Sequence, residues 1–174
     1  DAGIADAMNK GVMKSTGEYI LFVHADDYLV DSNAVDRAIS SLSSKIDVLA
    51  FNVLFSLESE FHLYRPRPLN FYTNLKMPFC HQGMLCKRSL FETIGLFDKS
   101  FLITMDYDWL LRAYREKVSW KYIPEVLSVF RDTGISSKKD ISSISSRFGE
   151  ERRVHQKNIN SFLIWVLLFF LDTF

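Results

Sequence analysis

Three short stretches of this chain carry residue types able to do chemistry together. Asp26-Asp27 follow the apolar run Glu18–Val23 (EYILFV), which has the composition of a buried strand. In open α/β sheets, ligands bind in the crevice beyond the carboxyl ends of the strands. Two adjacent carboxylates there repel one another unless a cation lies between them and a ligand. Hard oxygen donors suit Mg²⁺ or Mn²⁺, which keep waters and take up substrate phosphates. The same pair would also serve as plain turn and capping residues before a helix. Asp106-Tyr107-Asp108 opens a helical pattern. Carboxylates in a first turn complement the helix dipole, and one facing a cleft can act as a general base. His81-Gln82 follows the Pro78-Phe79-Cys80 bend, where a single histidine is more often a satisfied structural residue than a ligand.

The elements that must position these groups can be read along the chain. Ile4, Ala7, Met8 and Val12 fall at helical spacing, and Gly17 ends that stretch. Asp31 is placed to cap a helix with Val35, Ala38, Ile39 and Leu42 on one face. Ile46–Leu57 is β-rich, Arg65-Pro66-Arg67-Pro68 is a loop, and Gly83–Lys87 reads as a strand. Ser89 and Glu92 form the pattern of a capping box opening a short helix that stops at Gly95. The helix from Asp106 turns Trp109, Leu110 and Ala113 inward. Ser119–Ile123 and Val126–Phe130 read as two short strands broken at Pro124, and the Ser- and Lys-rich stretch 136–146 as a loop or weak helix. Strands alternating with helices give the α/β class with a mainly parallel sheet.

Composition narrows the function classes. At 174 residues and 48% hydrophobic content the chain can bury one core. Lys plus Arg number 21 and Asp plus Glu number 21, a balance that argues against nucleic acid as partner. Cys80 and Cys86 form neither a disulfide framework nor a metal-ligand spacing, and read as reduced thiols. Phe162–Leu171 (FLIWVLLFFL) carries no charge but is about half the roughly 20 apolar residues a bilayer requires. Preceded by Arg152, Arg153 and Lys157, it reads as a core or docking helix, or else as an interfacial helix on an anionic membrane surface or the start of a spanning segment. The chain begins at Asp1, directly on a polar motif and without methionine, as a fragment or truncated gene product would.

Taken together the segments are more specific. Asp1–Gly11 (DAGIADAMNKG), then Ser15–Phe22 (STGEYILF), then Ala25-Asp26-Asp27 resemble the D-x-G-I-x-D-A-M-N-K-G … G-E-x-I-x-F-x-x-x-D-D run of family 2 glycosyltransferases. His81-Gln82, Phe97-Asp98 and Asp106–Arg112 (DYDWLLR) are similar to later blocks of that family, in the same order. The pattern is nearest to bacterial enzymes building lipopolysaccharide, capsule or exopolysaccharide. It implies the GT-A fold, a Rossmann-like α/β sheet flanked by helices. Residues 1–135 would be a partial catalytic domain lacking the first βαβ portion, and 136–174 a helical tail containing the apolar segment 162–171.

The resemblance also implies roles. Asp27 is similar to the metal-binding Asp of the D-x-D-type motif, for Mn²⁺ or Mg²⁺, with Asp26 on the ribose or assisting the metal. Asp106 matches the general base. Asp1, Asp6, Asn9 and Lys10 would line the nucleotide side, and Arg131 would lie near the diphosphate. His81, Gln82 and Asp108 would lie on the substrate side. The implied reaction is inverting transfer of a sugar from a nucleoside diphosphate, usually uridine diphosphate, to a saccharide or lipid-linked saccharide. Its expected place is the cytoplasm, including the inner face of the cell membrane. Two departures stand out: Met105 occupies a position where Glu is common, and His24 replaces the Asn or Asp often found two residues before Asp26. A non-catalytic remnant, binding or membrane-attached, is the alternative. A metal-dependent phosphohydrolase would use the same acids, but the DAMNKG run gives it no support.

Overall fold

The computed structural model describes residues 1–57, 60–131 and 140–158. Helix α1 (Ile4–Lys14) buries Ala5, Met8, Asn9 and Val12, a stripe at three- and four-residue spacing. Strand β1 (Tyr19–Leu21) follows, then the short β2 (Tyr28–Leu29) and helix α2 (Ala34–Ser40). Helix α2 buries Ala34 and Ala38, whereas Val35 and Ile39 are 39% and 55% exposed. The apolar face expected from Val35 and Ile39 is therefore turned outward. Asp31 bonds the Asn33 amide at 2.8 Å and pairs with Arg37 through both carboxylate oxygens, which fixes the entry to this helix.

Strand β3 (Val48–Leu57) is the centre of the sheet, and Val48 through Val53 are buried without interruption. A strand covered on both faces needs apolar residues at successive positions, not alternate ones. Strand β4 (Glu60–Tyr64) returns along its second half, and β5 (Met84–Lys87) pairs with its first half. Helices α3 (Leu90–Thr93) and α4 (Met105–Arg115) precede β6 (Trp120–Arg131), and α5 (Ile141–Asn158) completes the described elements. Ser89 has helical backbone angles and makes no side-chain cap, so the capping box does not form. Glu92 pairs with Arg88 instead. Gly95, at φ 91°, takes the left-handed conformation beyond α3 that favours glycine.

The strand order is β1-β5-β3-β6-β2, with β4 beside β3. The α/β class holds, but the sheet is mixed: only β3 and β6 run parallel, and the other pairs among the described strands are antiparallel. Pro124 does not end its strand. It sits at a bulge where pairing with β3 jumps from Phe51↔Ile123 to Asn52↔Val126, so the residue without an N–H is left outside the ladder. One face of the sheet packs Val48, Ala50, Met84 and Cys86 against α1, α3 and α4, where Phe91 stacks on Trp109 at 4.8 Å. The other face packs Leu49, Phe51 and Leu127 against Ala34 and Ala38 of α2. Val154 of α5 is fully buried in the first cluster, so residues 141–158 share that core. No helix among the described residues is long and apolar enough to cross a membrane. The apolar run 162–171 and the boundary near residue 135 lie outside the described residues.

Candidate functional site

A cavity of about 860 Å³ opens where the carboxyl end of β1, the turn after Pro78 and the start of α4 converge. Three of the stretches singled out in the sequence meet there. His24, Asp26 and Asp27 line it from the loop after β1, His81 and Gln82 from the 3₁₀ turn His81–Gly83, and Asp106 from the first turn of α4.

The geometry is set by hydrogen bonds. The Asp27 N–H donates to the His24 carbonyl at 3.1 Å, which closes the turn carrying both acids. Asp27 is 8% exposed; Gln82 Nε2 donates to its Oδ2 and the Arg131 N–H to its Oδ1, each at 3.2 Å. Asp106 is 7% exposed. Its Oδ1 accepts the Tyr107 N–H at 2.8 Å, and its Oδ2 lies 2.8 Å from His81 Nδ1. The neighbouring residues His81 and Gln82 thus hold the two buried acids, one each. Ser128 Oγ donates to the Gln82 carbonyl at 2.6 Å and anchors that turn to β6. Gly83 completes the fit, since a Cβ there would stand 2.6 Å from the Phe51 carbonyl oxygen on β3. Only a residue without a side chain lets the turn press this closely on the central strand.

Burial, and then the neighbouring His81, lower the pKa of His24 below the ordinary histidine value. Burial and then the Asp106 carboxylate push the Cys80 thiol up to about 12, which removes it as a nucleophile near neutral pH. Burial, and then Cys80, raise the Tyr64 hydroxyl to about 12, so it faces the cavity as a neutral group.

Asp26 and Asp27 are the adjacent carboxylates that line the cavity. Both oxygens of Asp27 accept one hydrogen bond and keep further lone-pair positions. No cluster of three or more His, Cys, Asp or Glu with metal-binding geometry occurs among the described residues. Two carboxylates are too few donors for a cage made by protein alone, so a Mg²⁺ or Mn²⁺ ion held by them would take its other ligands from water and phosphate.

Other residues expected at the site lie elsewhere. Lys10 pairs with Asp1 at 2.6 Å and with Asp6 at 2.8 Å on the outer side of α1. Lys10 and the Ala2 amide hold the Asp6 carboxyl well below the usual carboxylate range. Asn9 exchanges two 2.9 Å hydrogen bonds with the backbone of Phe97, as a strand partner would. None of these four lines the cavity, although Ile4 of the same helix does. Asp108 is fully buried against Arg112, Asn158 and Lys157, facing away from the cavity. Arg131 reaches Asp27 through its backbone N–H, while its guanidinium lies over the Tyr28 ring at 5.4 Å.

Two contributors carry no clear sequence signal. His24 reads in the sequence only as a departure from the family pattern, yet its Nε2 lies 2.6 Å from His81 Nε2. Glu150 of α5 accepts the N–H groups of Leu102, Ile103 and Thr104 at 2.8 to 3.0 Å, together with the Thr104 hydroxyl. Its carboxylate therefore caps the start of α4 and fixes the loop that delivers Asp106. No local pattern marks it, because it lies 46 residues beyond Thr104.

Known proteins agree with this architecture. Crystal structures of Staphylococcus aureus TarS, in complex with UDP-GlcNAc and with UDP, superpose with TM-scores of 0.65 and 0.62 at 16% and 14% identity. The match covers 92% of this chain and 48% and 46% of those chains, and it shows the shared fold. A "PGL/p-HBAD biosynthesis glycosyltransferase" of Mycobacterium bovis is 29% identical over 142 residues, covering 77% of this chain and 53% of the relative. An uncharacterized glycosyltransferase of Mycobacterium tuberculosis is 32% identical over 163 residues, covering 88% and 59%. The chain spans somewhat more than half the length of these two relatives. The family model described as glycosyl transferase family 2 matches residues 1–123, which include both buried cavity acids and the His81-Gln82 turn between them. On that match, over a fold and a set of motifs that agree with it, the chain belongs to glycosyl transferase family 2.

Proposed function

We propose that this protein transfers a sugar from a nucleoside-diphosphate sugar, with uridine diphosphate as carrier, to an acceptor hydroxyl, with inversion at the anomeric carbon. The observation that carries the reading is the placement of Asp27 and Asp106 on one cavity, each held by one residue of the His81-Gln82 turn. An inverting transfer needs a donor-gripping end and a proton-accepting end within one substrate length. The TarS complexes with UDP and UDP-GlcNAc support a nucleotide-sugar donor for this fold.

Asp106 takes the acceptor proton as the hydroxyl oxygen attacks the anomeric carbon. A carbon–oxygen bond forms to the acceptor, and the bond from carbon to the diphosphate oxygen breaks on the opposite face. The transition state is oxocarbenium-like, as in glycoside hydrolysis, with a sugar or lipid-linked hydroxyl in place of water. Asp27, assisted by Asp26, would hold Mn²⁺ or Mg²⁺, which when bound supplies neutralisation of the departing diphosphate. Tyr64 and Tyr107 line the cavity, and neither ionises near neutral pH because burial raises both hydroxyls. The acceptor belongs to cell-surface polysaccharide synthesis, met in the cytoplasm or at the inner membrane face.

Asp106→Asn tests the assignment. Calorimetric titration with UDP-sugar and Mn²⁺ is expected to show donor binding intact, while transfer measured beside it disappears. Retained transfer rejects Asp106 as the base. Loss of donor binding would move it to the nucleotide side.

A further inference from the structure

We propose that the acceptor carries a phosphate group, held by Arg67, Lys76 and Arg147 on the Asp106 side of the cavity. This rests on the reading of Asp106 as the acceptor of the substrate proton, and it names the class of molecule that brings the hydroxyl.

The charged residues that line the cavity fall into two groups. Asp26 and Asp27 mark one end, where Gln82 and the Arg131 N–H hold Asp27. Arg67, Lys76 and Arg147 come from three other places: the loop after β4, the stretch before Pro78 and helix α5. Several contacts tie them to the Asp106 end. The Pro78 carbonyl accepts the Arg67 N–H at 2.8 Å and the Tyr64 hydroxyl at 3.3 Å. That hydroxyl lies in the field of both Arg67 and Asp106. Lys76 stands 3.6 Å from Glu151 of α5, and Glu151 acts on the hydroxyl of Tyr107, the residue after Asp106. Arg147 lies four residues before Glu151, hence on the same face of α5, and both line the cavity.

In an inverting transfer the incoming hydroxyl and the departing group occupy opposite faces of the sugar. With the donor diphosphate at Asp27 and the base at Asp106, cations beside Asp106 meet the acceptor. Glu151 offsets one of the three. The two positive charges that remain match the dianion of a phosphomonoester, whereas a carboxylate would answer only one. The guanidinium fork also suits phosphate, since it pairs with two oxygens at once. Met77, Leu102, Ile103 and Ile144 line the same cavity and give the acceptor's carbon skeleton an apolar wall. Arg147 lies beyond residues 1–123 matched by the family model, so the family pattern does not supply this contact.

The experiment is titration calorimetry of the whole chain, without donor, using hexyl phosphate, glycerol phosphate and, as the uncharged control, hexanol. Hexyl phosphate should bind about tenfold or more tightly than hexanol. Tighter binding of hexyl phosphate than of glycerol phosphate marks a lipid-linked source, and the reverse a polyol source; both bear out the phosphate. Arg67→Ala and Arg147→Ala should each weaken phosphate binding about three- to tenfold, and Arg147→Lys, which keeps the charge, should restore most of it. UDP with Mn²⁺ should leave the phosphate affinity unchanged. The proposal is overturned if hexanol binds as well as hexyl phosphate, or if both alanine variants keep the full affinity. Displacement of the phosphate by UDP also overturns it, because the cations would then serve the donor. The titration needs no turnover, so it stands apart from the Asp106→Asn assay. A failed assay with phosphate binding intact would remove the base and leave the anion site, whereas lost phosphate binding would strike the acceptor class alone.

Discussion

Asp106 and Asp108 open the same helix and meet opposite environments. Asp106 turns into the cavity, where His81 and the Tyr107 amide hold it and its remaining lone pairs face open space. Asp108 turns into the interior, where Arg112 at 2.9 Å, Asn158 at 2.8 Å and Lys157 at 3.1 Å surround it. Two residues of helix amount to about 200° of rotation, which is enough to place one carboxylate on the cavity wall and the next in a structural network. The difference teaches that partners separate the two roles, since burial is nearly equal at 7% and 0%. A general base keeps an approach free for a hydroxyl, whereas a structural acid is saturated by cations and amides.

The largest expected effect exploits that contrast. Asp106→Asn should lower turnover by about 10²- to 10⁴-fold while the melting temperature changes little. Asp108→Ala should do the reverse: removing one partner of a buried ion network costs about 3–5 kcal/mol, visible as an earlier urea midpoint. If Asp108→Ala left the midpoint in place and removed turnover, the two faces would have to exchange roles.

Smaller effects sharpen the comparison. Gly83→Ala forces a Cβ against the Phe51 carbonyl and should cost about 1–3 kcal/mol of stability. Donor affinity should also weaken, because the same displacement moves Gln82 off Asp27; unchanged affinity in titration calorimetry would count against that link. Glu150→Gln should cost about 1.5 kcal/mol, since it weakens hydrogen bonds to a charged acceptor. Burial pushes the Glu150 carboxyl up, but the amides of Leu102, Ile103 and Thr104 outweigh it and hold its pKa below the usual value. A carboxyl lowered on folding contributes stability above its unfolded pKa of about 4.3 and loses it as the pH falls through the folded value. The melting temperature of the unaltered chain should therefore fall more steeply from pH 5 towards pH 3 than that of Glu150→Gln.

The sequence made some of this legible. The apolar run before Asp26 and the acidic start of α4 announced a strand and a helix with carboxylates at their functional ends, because periodicity and end chemistry are local properties. Which of Asp106 and Asp108 faces the cavity was not local, since both residues suit a first turn equally well. Strand direction escaped for a similar reason: a buried strand carries the same apolar residues whether its neighbour runs with it or against it. The contacts of His24 and Glu150 depend on partners 57 and 46 residues away, a separation that no spacing rule encodes.

The partner exchange along β3 has a mechanical result. Its first residues are tied to β5 and its later ones to β4, so between Ala50 and Val53 the ladder on that edge passes from one strand to the other. The chain that leaves β4 re-enters the sheet through this notch, carrying His81 and Gln82 at its mouth. A strand paired along its whole edge would have sealed the opening. The interruption makes the sheet itself the frame of a doorway, and the residues that grip both acids stand on its threshold.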